Sequence, residues 1–375
     1  MTLWVVKLGT SLLRGDTAAT IDGFATGIAT AFARGDRVVL VSSGAVGLGC
    51  QRLQLPQRPE TVVALQAAAA TGQGQLMALY ERALASHGIA VAQILVTRSD
   101  LADRRRYQNA SGTLKQLLQW GVLPVVNEND AISPAELRFG DNDTLSALVA
   151  AAVDADQLIL LTDVDRLYSA DPRLVANARP ISDVHHPREL DALEAVAGDG
   201  GRWGRGGMTT KLAAARIATA SGITVHLADG RDPTRLSALL QGERGGTVFH
   251  PHPEPLGNRR SWLAHALQPQ GTLTLDAGAC DALHRRGASL LMVGISAVDG
   301  EFPANQPVRL HGPDGSELGR GLCLLSSAAV RRALDAPPAP GPSPVVVHRD
   351  ALVLHSRRAR LRSGRRPATS CVSAA

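Results

Sequence analysis

What most constrains this chain is a regular alternation, over its first 250 residues, of short apolar runs with longer alanine-rich segments. Six runs rich in Val, Ile and Leu, bounded by Gly, Asp or Ser, predict strands at Leu3–Leu8, Arg37–Ser42, Ile89–Val96, Val122–Val126, Gln157–Thr162 and Ile223–Leu227. Segments with helical spacing fall between them, at Thr17–Ala33, Pro59–Ser86, Asn109–Trp120, Thr144–Val153 and Thr209–Ala220. Such alternation predicts an α/β fold, a mostly parallel sheet sandwiched by helices. Ligands of these sheets bind beyond the carboxyl ends of the strands, so the residues that follow each run are the ones to inspect.

The pattern changes after residue 250. Residues 251–270 carry Pro251, Pro253, Pro255 and Pro269 and read as a linker. Residues 271–356 predict a small β-rich, barrel-like unit, with strands at Thr272–Asp276, Val308–His311 and Val345–His348 and a helix at Ala277–Arg286. Asp299-Gly300 and Asp314-Gly315 mark turns within it, and the proline-dense stretch Pro337–Pro344 is a loop. Residues 357–375 read as a disordered, arginine-rich tail. The expected domains are therefore 1–250, a linker, 271–356 and the tail.

Composition narrows the function classes. At 375 residues and 45% hydrophobic the chain can bury two cores, yet no apolar run approaches the roughly 18 residues of a membrane span. No leader peptide is expected, because Lys7 and Gly9 interrupt the first apolar stretch. Cys50, Cys280, Cys323 and Cys371 are scattered, which argues against a zinc cluster or disulfide framework and for a reducing cytoplasm. The formal charge of +5 is carried by the tail: six of its arginines removed leave 5 − 6 = −1 for the rest. Only three of the 39 cationic residues are lysines, namely Lys7, Lys115 and Lys211. Where Arg is the default cation, a retained Lys points to a need for a compact ammonium.

Five stretches carry chemistry. In VVKLGTS (Val5–Ser11) a strand delivers Lys7 to its carboxyl end, where Gly9 lets the backbone turn around a ligand. In VSSGAVGLG (Val41–Gly49), Ser42, Ser43 and Gly44 open a helix whose N–H groups could face an anion; the glycine spacing hints weakly at a dinucleotide loop, against close helix packing. NEND (Asn127–Asp130) and GDND (Gly140–Asp143) are strand-end or helix-start loops dense in acids and amides, suited to an ammonium, to orienting lysines or to water-held magnesium. Thr162-Asp163 ends another strand. In GRGGMTTK (Gly204–Lys211), Gly206 and Gly207 allow close approach, while Lys211 opposes the dipole of the helix it begins and so makes sense with a bound anion there, such as a nucleotide phosphate. No Ser/His/Asp set is present. A carboxylate acceptor would need no general base, being ionised at pH 7 with a pKa of about 4.3.

In this order and spacing the five stretches resemble the amino-acid kinase family, most closely its glutamate-phosphorylating branch, over residues 3–250. Supporting stretches include Leu95–Ala110, Gly121–Ser133, Phe139–Ala150 and Leu160–Arg173. Gly287–Phe302 and Val345–Asp350 resemble a PUA domain. The resemblance implies phosphorylation of the L-glutamate side-chain carboxylate by ATP with Mg2+, giving L-glutamyl 5-phosphate for proline synthesis. It assigns Lys7 and Lys211 to the transferring phosphoryl group and Asp143 to orienting them. Ser43, Asp130 and Asn142 would hold glutamate. Lys7, Thr162, Asp163 and the loop Arg205, Gly206, Gly207, Met208, Thr209, Thr210 and Lys211 would hold the nucleotide, and no protein metal ligands are implied. Arg205 departs from the small or hydroxyl residue usual there, and Pro337–Pro344 departs from the usual PUA sequence. A homo-oligomer (dimer or tetramer), inhibition by proline, transient contact with glutamyl phosphate reductase and no membrane partner are likewise implied. A PUA unit and an arginine tail raise RNA binding as a rival role, against which stand a near-neutral body and 3% aromatic content.

Overall fold

The structure, a computed structural model, describes residues 1–13, 16–97, 100–101, 103–133, 142–170, 172, 175–198, 207–255, 257, 269–335 and 343–354. Arg205, Gly206, the first half of GDND, most of the linker, 337–342 and the tail lie outside the described residues. The chain divides into two compact units, residues 1–268 and 269–375.

In the first unit the strands are β1 (Leu3–Leu8), β2 (Arg37–Val41), β3 (Val91–Val96), β4 (Leu123–Glu128), β5 (Gln157–Thr162), β6 (Leu167–Tyr168), β7 (Pro180–Ile181), β8 (Asp183–Val184), β9 (Thr224–Asp229) and β10 (Thr247–Phe249). Eight of them form one sheet in the order β3-β4-β2-β1-β5-β9-β10-β8. From β3 to β9 every pairing is parallel, and β10 turns antiparallel to β9 at the edge. The helices are α1 (Thr17–Ala33), α2 (Ala45–Arg52), α3 (Val62–Ala85), α4 (Arg104–Gln119), α5 (Asn142–Val153), α6 (Pro187–Gly198), α7 (Gly207–Ala220) and α8 (Thr234–Leu240).

Central β1 has no solvent face. Val5, Val6 and Leu8 are fully buried, as an apolar strand between two helical layers requires. Its neighbours β2 and β5 place Lys7 opposite Val41 and Leu160, so the lysine emerges at the carboxyl end of the sheet's middle. One core cluster joins this strand to Phe24 and Ile28 of α1 and Leu76 and Tyr80 of α3.

Caps set several helix starts. Asp16 accepts from the Ala19 N–H at 3.0 Å to open α1, and Asp103 accepts from Arg106 N–H at 2.9 Å to open α4. The second cap begins α4 at Arg104, five residues before the periodic pattern suggests. Asn127 and Glu128, expected in a loop, are the last residues of β4.

The hint of a dinucleotide loop in Val41–Gly49 is corrected. A Cβ on Gly49 would lie 1.8 Å from the Ala68 carbonyl oxygen, and one on Gly72 2.0 Å from that of Ala45. These glycines exist so that α2 and α3 can touch backbone to backbone. Gly44 (φ +103°) provides the left-handed turn out of β2.

The second unit is an open six-stranded sheet, with strands β11 (Gly271–Leu275), β12 (Leu290–Leu291), β13 (Ile295–Asp299), β14 (Gln306–His311), β15 (Glu317–Cys323) and β16 (Val345–Leu354). Their order is β12-β16-β15-β14-β11-β13. Helices α9 (Ala277–Arg286) and α10 (Ser327–Asp335) accompany it. Leu273, Leu283, Val308, Leu310 and Val330 share its core. Gly300 and Gly315 take positive φ at the two expected turns. No described helix is long and apolar enough to cross a membrane.

Candidate active site

The carboxyl end of β1 and the first turns of α5 and α7 meet around one carboxylate. Asp143 is buried, 5% exposed, at the start of a helix whose twelve residues are all buried. Its Oδ1 lies 2.6 Å from Lys7 Nζ and its Oδ2 3.3 Å from Lys211 Nζ. The Thr210 hydroxyl donates to Oδ2 at 2.8 Å. Burial alone would raise the carboxyl pKa, but the two ammonium groups outweigh it and hold Asp143 below the ordinary carboxylate range. Its position in the first turn of α5 adds the favourable end of the helix dipole.

The clash between Lys211 and the dipole of its own helix is thereby resolved. Lys211 is the fifth residue of α7; its ammonium donates to the Gly207 carbonyl at 3.0 Å and rests on the Asp143 carboxylate. The anion that the sequence demands there is at least partly supplied by the protein. Among the described residues, two cations against one anion leave the cluster at +1. A Cβ on Gly9 would press on the Leu161 carbonyl oxygen at 3.3 Å, with Lys7 Nζ next to it at 3.4 Å, whereas a Cβ on Gly207 would meet no described residue within 4 Å.

Beside this cluster runs a polar network at the ends of β2 and β4. The Asn142 amide nitrogen donates to the Ser42 carbonyl (2.8 Å), Ser43 Oγ (2.9 Å) and Asn127 Oδ1 (3.1 Å). Asn127 in turn donates to Gln73 Oε1 at 2.9 Å, and Ser42 Oγ meets the buried Tyr80 hydroxyl at 2.6 Å. Burial pushes that phenol's pKa up, so it stays neutral. Two buried atoms here have no partner among the described residues, the acceptor Asn142 Oδ1 and the donor Gln73 Nε2. An unpaired buried polar atom costs about 1–3 kcal/mol, which a ligand of the right polarity would recover.

Half-buried Asp130 sits just past β4. Burial first, and then the charge of Glu128, raise its pKa to about 6, with Arg58 pulling the other way. Glu128 itself accepts from Ser133 Oγ at 2.6 Å. On the far side of β1, Thr162 is buried at the end of β5 and its hydroxyl donates to Asp163 Oδ1 at 3.1 Å, with Asp163 exposed. Met208 is buried and Thr209 exposed in the first turn of α7.

The structure thus brings Lys7, Asp143, Lys211 and Thr210 into one cluster and Ser43 and Asn142 into the adjoining network. Sequence reasoning passed over Gln73. Its signal was available, a glutamine flanked by Gly72 and Gly74 within an alanine-rich helix, but nothing local shows that it faces Asn127.

Fold and sequence together define the class. Residues 2–229 match the amino acid kinase family and residues 271–335 match the PUA domain. The chain is 94% identical to the glutamate 5-kinase of Parasynechococcus marenigrum (strain WH8102) over 357 residues, 95% of this chain and 100% of that protein. It is 70% identical to the glutamate 5-kinase of Prochlorococcus marinus (strain MIT 9313) over 360 residues, again 95% and 100%. Among solved structures, the carbamate kinase of Giardia aligns with 67% of this chain and 99% of its own at 21% identity and a TM-score of 0.49, too distant to inform the site. The chain belongs to the amino acid kinase family and, within it, to the glutamate 5-kinases.

Proposed function

We propose that the chain transfers the γ-phosphoryl group of ATP to the side-chain carboxylate of L-glutamate, giving L-glutamyl 5-phosphate and ADP at the entry to proline synthesis. The observation that carries this reading is the single carboxylate of Asp143 gripping two lysines at the carboxyl end of β1. A glutamate side-chain oxygen forms the new bond to phosphorus as the bond to the ADP oxygen breaks. The acceptor is already ionised, so no residue needs to remove a proton. What the reaction requires is compensation of the charge on the transferring group, and Lys7 and Lys211, fixed by Asp143, provide it without reorganisation.

Glutamate fits the adjoining network. Asp130 suits its ammonium group, and the unpartnered Asn142 Oδ1 can accept from the same group. Gln73 Nε2 can donate to the α-carboxylate, and Ser43 shapes the pocket wall. Thr162, Asp163 and the segment from Arg205 through Gly206, Gly207, Met208, Thr209 and Thr210 to Lys211 form the nucleotide side, joined by Lys7. Magnesium fits as an ion carried on the ATP phosphates, since among the described residues the oxygens of Asp143 already face Lys7, Lys211 and Thr210. The same reading includes a cytoplasmic dimer or tetramer, inhibition by proline and passing contact with the reductase that consumes glutamyl phosphate.

Hydroxylamine trapping tests the proposal. With Mg-ATP and glutamate, aspartate or N-acetylglutamate in turn, hydroxamate is expected from glutamate alone. Hydroxamate from none of them, with ATP binding intact, would overturn it.

A further inference from the structure

We propose that Asp183, His185 and His250 bind one divalent transition-metal ion of the zinc class, at the end of the sheet opposite the lysine cluster. The backbone sets up this juxtaposition. Strand β8 pairs parallel with β10, Asp183 beside Val248 and Val184 beside Phe249, and the His250 N–H continues the ladder to the Val184 carbonyl at 2.9 Å. Residues two apart in a strand share a face, so Asp183, His185 and His250 project from the same side of this edge. Their donor atoms all lie within 4.8 Å of one another. The two imidazoles stack with centroids 4.2 Å apart and planes 10° apart, and His250 Nε2 meets Asp183 Oδ1 at 2.8 Å.

The location follows from strand direction. Antiparallel β10 brings Phe249 beside Val225 at the start of β9, whereas Thr162 and Asp229 end their strands together at the other end. The cluster is therefore separate from the candidate active site.

The donor set selects the metal. Two imidazoles and one carboxylate suit zinc and its neighbours, while magnesium and calcium prefer oxygen alone. Three protein ligands leave one position for water. On a tetrahedral ion, donors stand about 3.3 Å apart, a convergence that the exposed His185 can reach by turning its ring. The metal would take the place of the proton now shared by His250 and Asp183. Glu189 accepts from the His185 N–H at 3.1 Å and steadies that backbone. The main opposing charge is Arg244, which lies near Asp183. Four of the eleven histidines fall in the two segments at 185–186 and 250–252, so His252 serves as the control for simple histidine loss.

Untagged full-length protein, stripped with a chelator and held in excess Mg2+ without nucleotide, is titrated with Co2+ while its visible absorption is followed. One ion per chain is expected, together with a rise in Tm on binding. His185→Asn and His250→Asn should each weaken binding at least roughly 10-fold, the low end of what loss of even a supporting partner costs a metal site. His252→Asn should leave it unchanged, and all three variants should keep parental kinase turnover in Mg2+, which shows that they fold. Absence of Co2+ binding, binding unaltered in His185→Asn and His250→Asn, or an equal loss in His252→Asn would each overturn the assignment.

Discussion

Replacing Asp130 by Asn should make the protein more stable and a worse enzyme, and the size of the first effect follows from the site. The carboxyl titrates at about 6 in the fold against 3.8 when unperturbed, because burial and Glu128 penalise its charged form. A raised carboxyl pKa means that the unfolded chain loses the proton more readily, so folding is penalised increasingly as pH rises from 3.8 through 6. The full shift of about two pKa units corresponds to ~3 kcal/mol at 1.36 kcal/mol per unit. Residual solvent contact brings the expected gain for Asp130→Asn to about 2 kcal/mol at pH 8, falling below roughly 1 kcal/mol near pH 4. In a unit of this size that is about 4–8 °C in Tm, measurable by scanning calorimetry of the first unit's transition from pH 4 to 8. In the parent protein, KM for glutamate should climb as pH drops below about 6 while KM for ATP stays level, and Asp130→Asn should raise the glutamate KM above that pH, the difference from the parent closing as the parent carboxyl takes up its proton. A variant no more stable than the parent at pH 8, or a stability gain that does not shrink towards pH 4, would refute the electrostatic account. An equal rise in both KM values would remove Asp130 from the glutamate side.

Lys211→Ala should lower kcat about 10²–10³-fold, the usual cost of one preorganised charge donor, with an unchanged circular dichroism spectrum; near-normal turnover would remove its assigned role. Asp143→Asn strands two buried ammonium groups and should cost ~3–5 kcal/mol at neutral pH, read as a fall in Tm. Because the Asp143 pKa is depressed, that deficit should hold at neutral pH and close only as pH falls below about 4. Gly49→Ala forces a methyl group onto the Ala68 carbonyl and should cost ~3 kcal/mol by prying α2 from α3, and a neutral outcome in thermal melts would show that the helices can separate freely.

The sheet was legible because its strands are buried on both faces and read as short, mostly apolar runs, β5 and the first four residues of β1 above all. The edge was not. Strands β8 and β10 have two and three residues, too short for any periodicity, and their pairing depends on β10 running antiparallel to β9. Helix α4 began early because a single side chain, Asp103, satisfies its first N–H groups, which a count of apolar spacing does not see. In the Val41–Gly49 stretch the same glycines fit a phosphate loop or a helix crossing. Only the position of Ala68, about twenty residues further on, decides for the crossing.

The candidate site divides along the same line. Scarce residue types carry some information, but three lysines among 39 cations marked Lys115 as well, which pairs with Asp154 at the surface, and it took the glycine-flanked loops to narrow the choice to Lys7 and Lys211. The Lys211–dipole conflict called for a bound anion such as a nucleotide phosphate, whereas the structure sets the Asp143 carboxylate there, and a sequence cannot say whether that anion is a ligand or a side chain arriving from 68 residues away. It is both if the proposed chemistry holds: Asp143 neutralises one lysine's worth of charge and leaves +1 for the phosphoryl group. Were Asp143 absent, two buried ammonium groups would repel each other and the fold would spread them. Were a second carboxylate present, the cluster would be neutral and indifferent to phosphate. One acid between two lysines is the composition that both holds together without substrate and still attracts an anion.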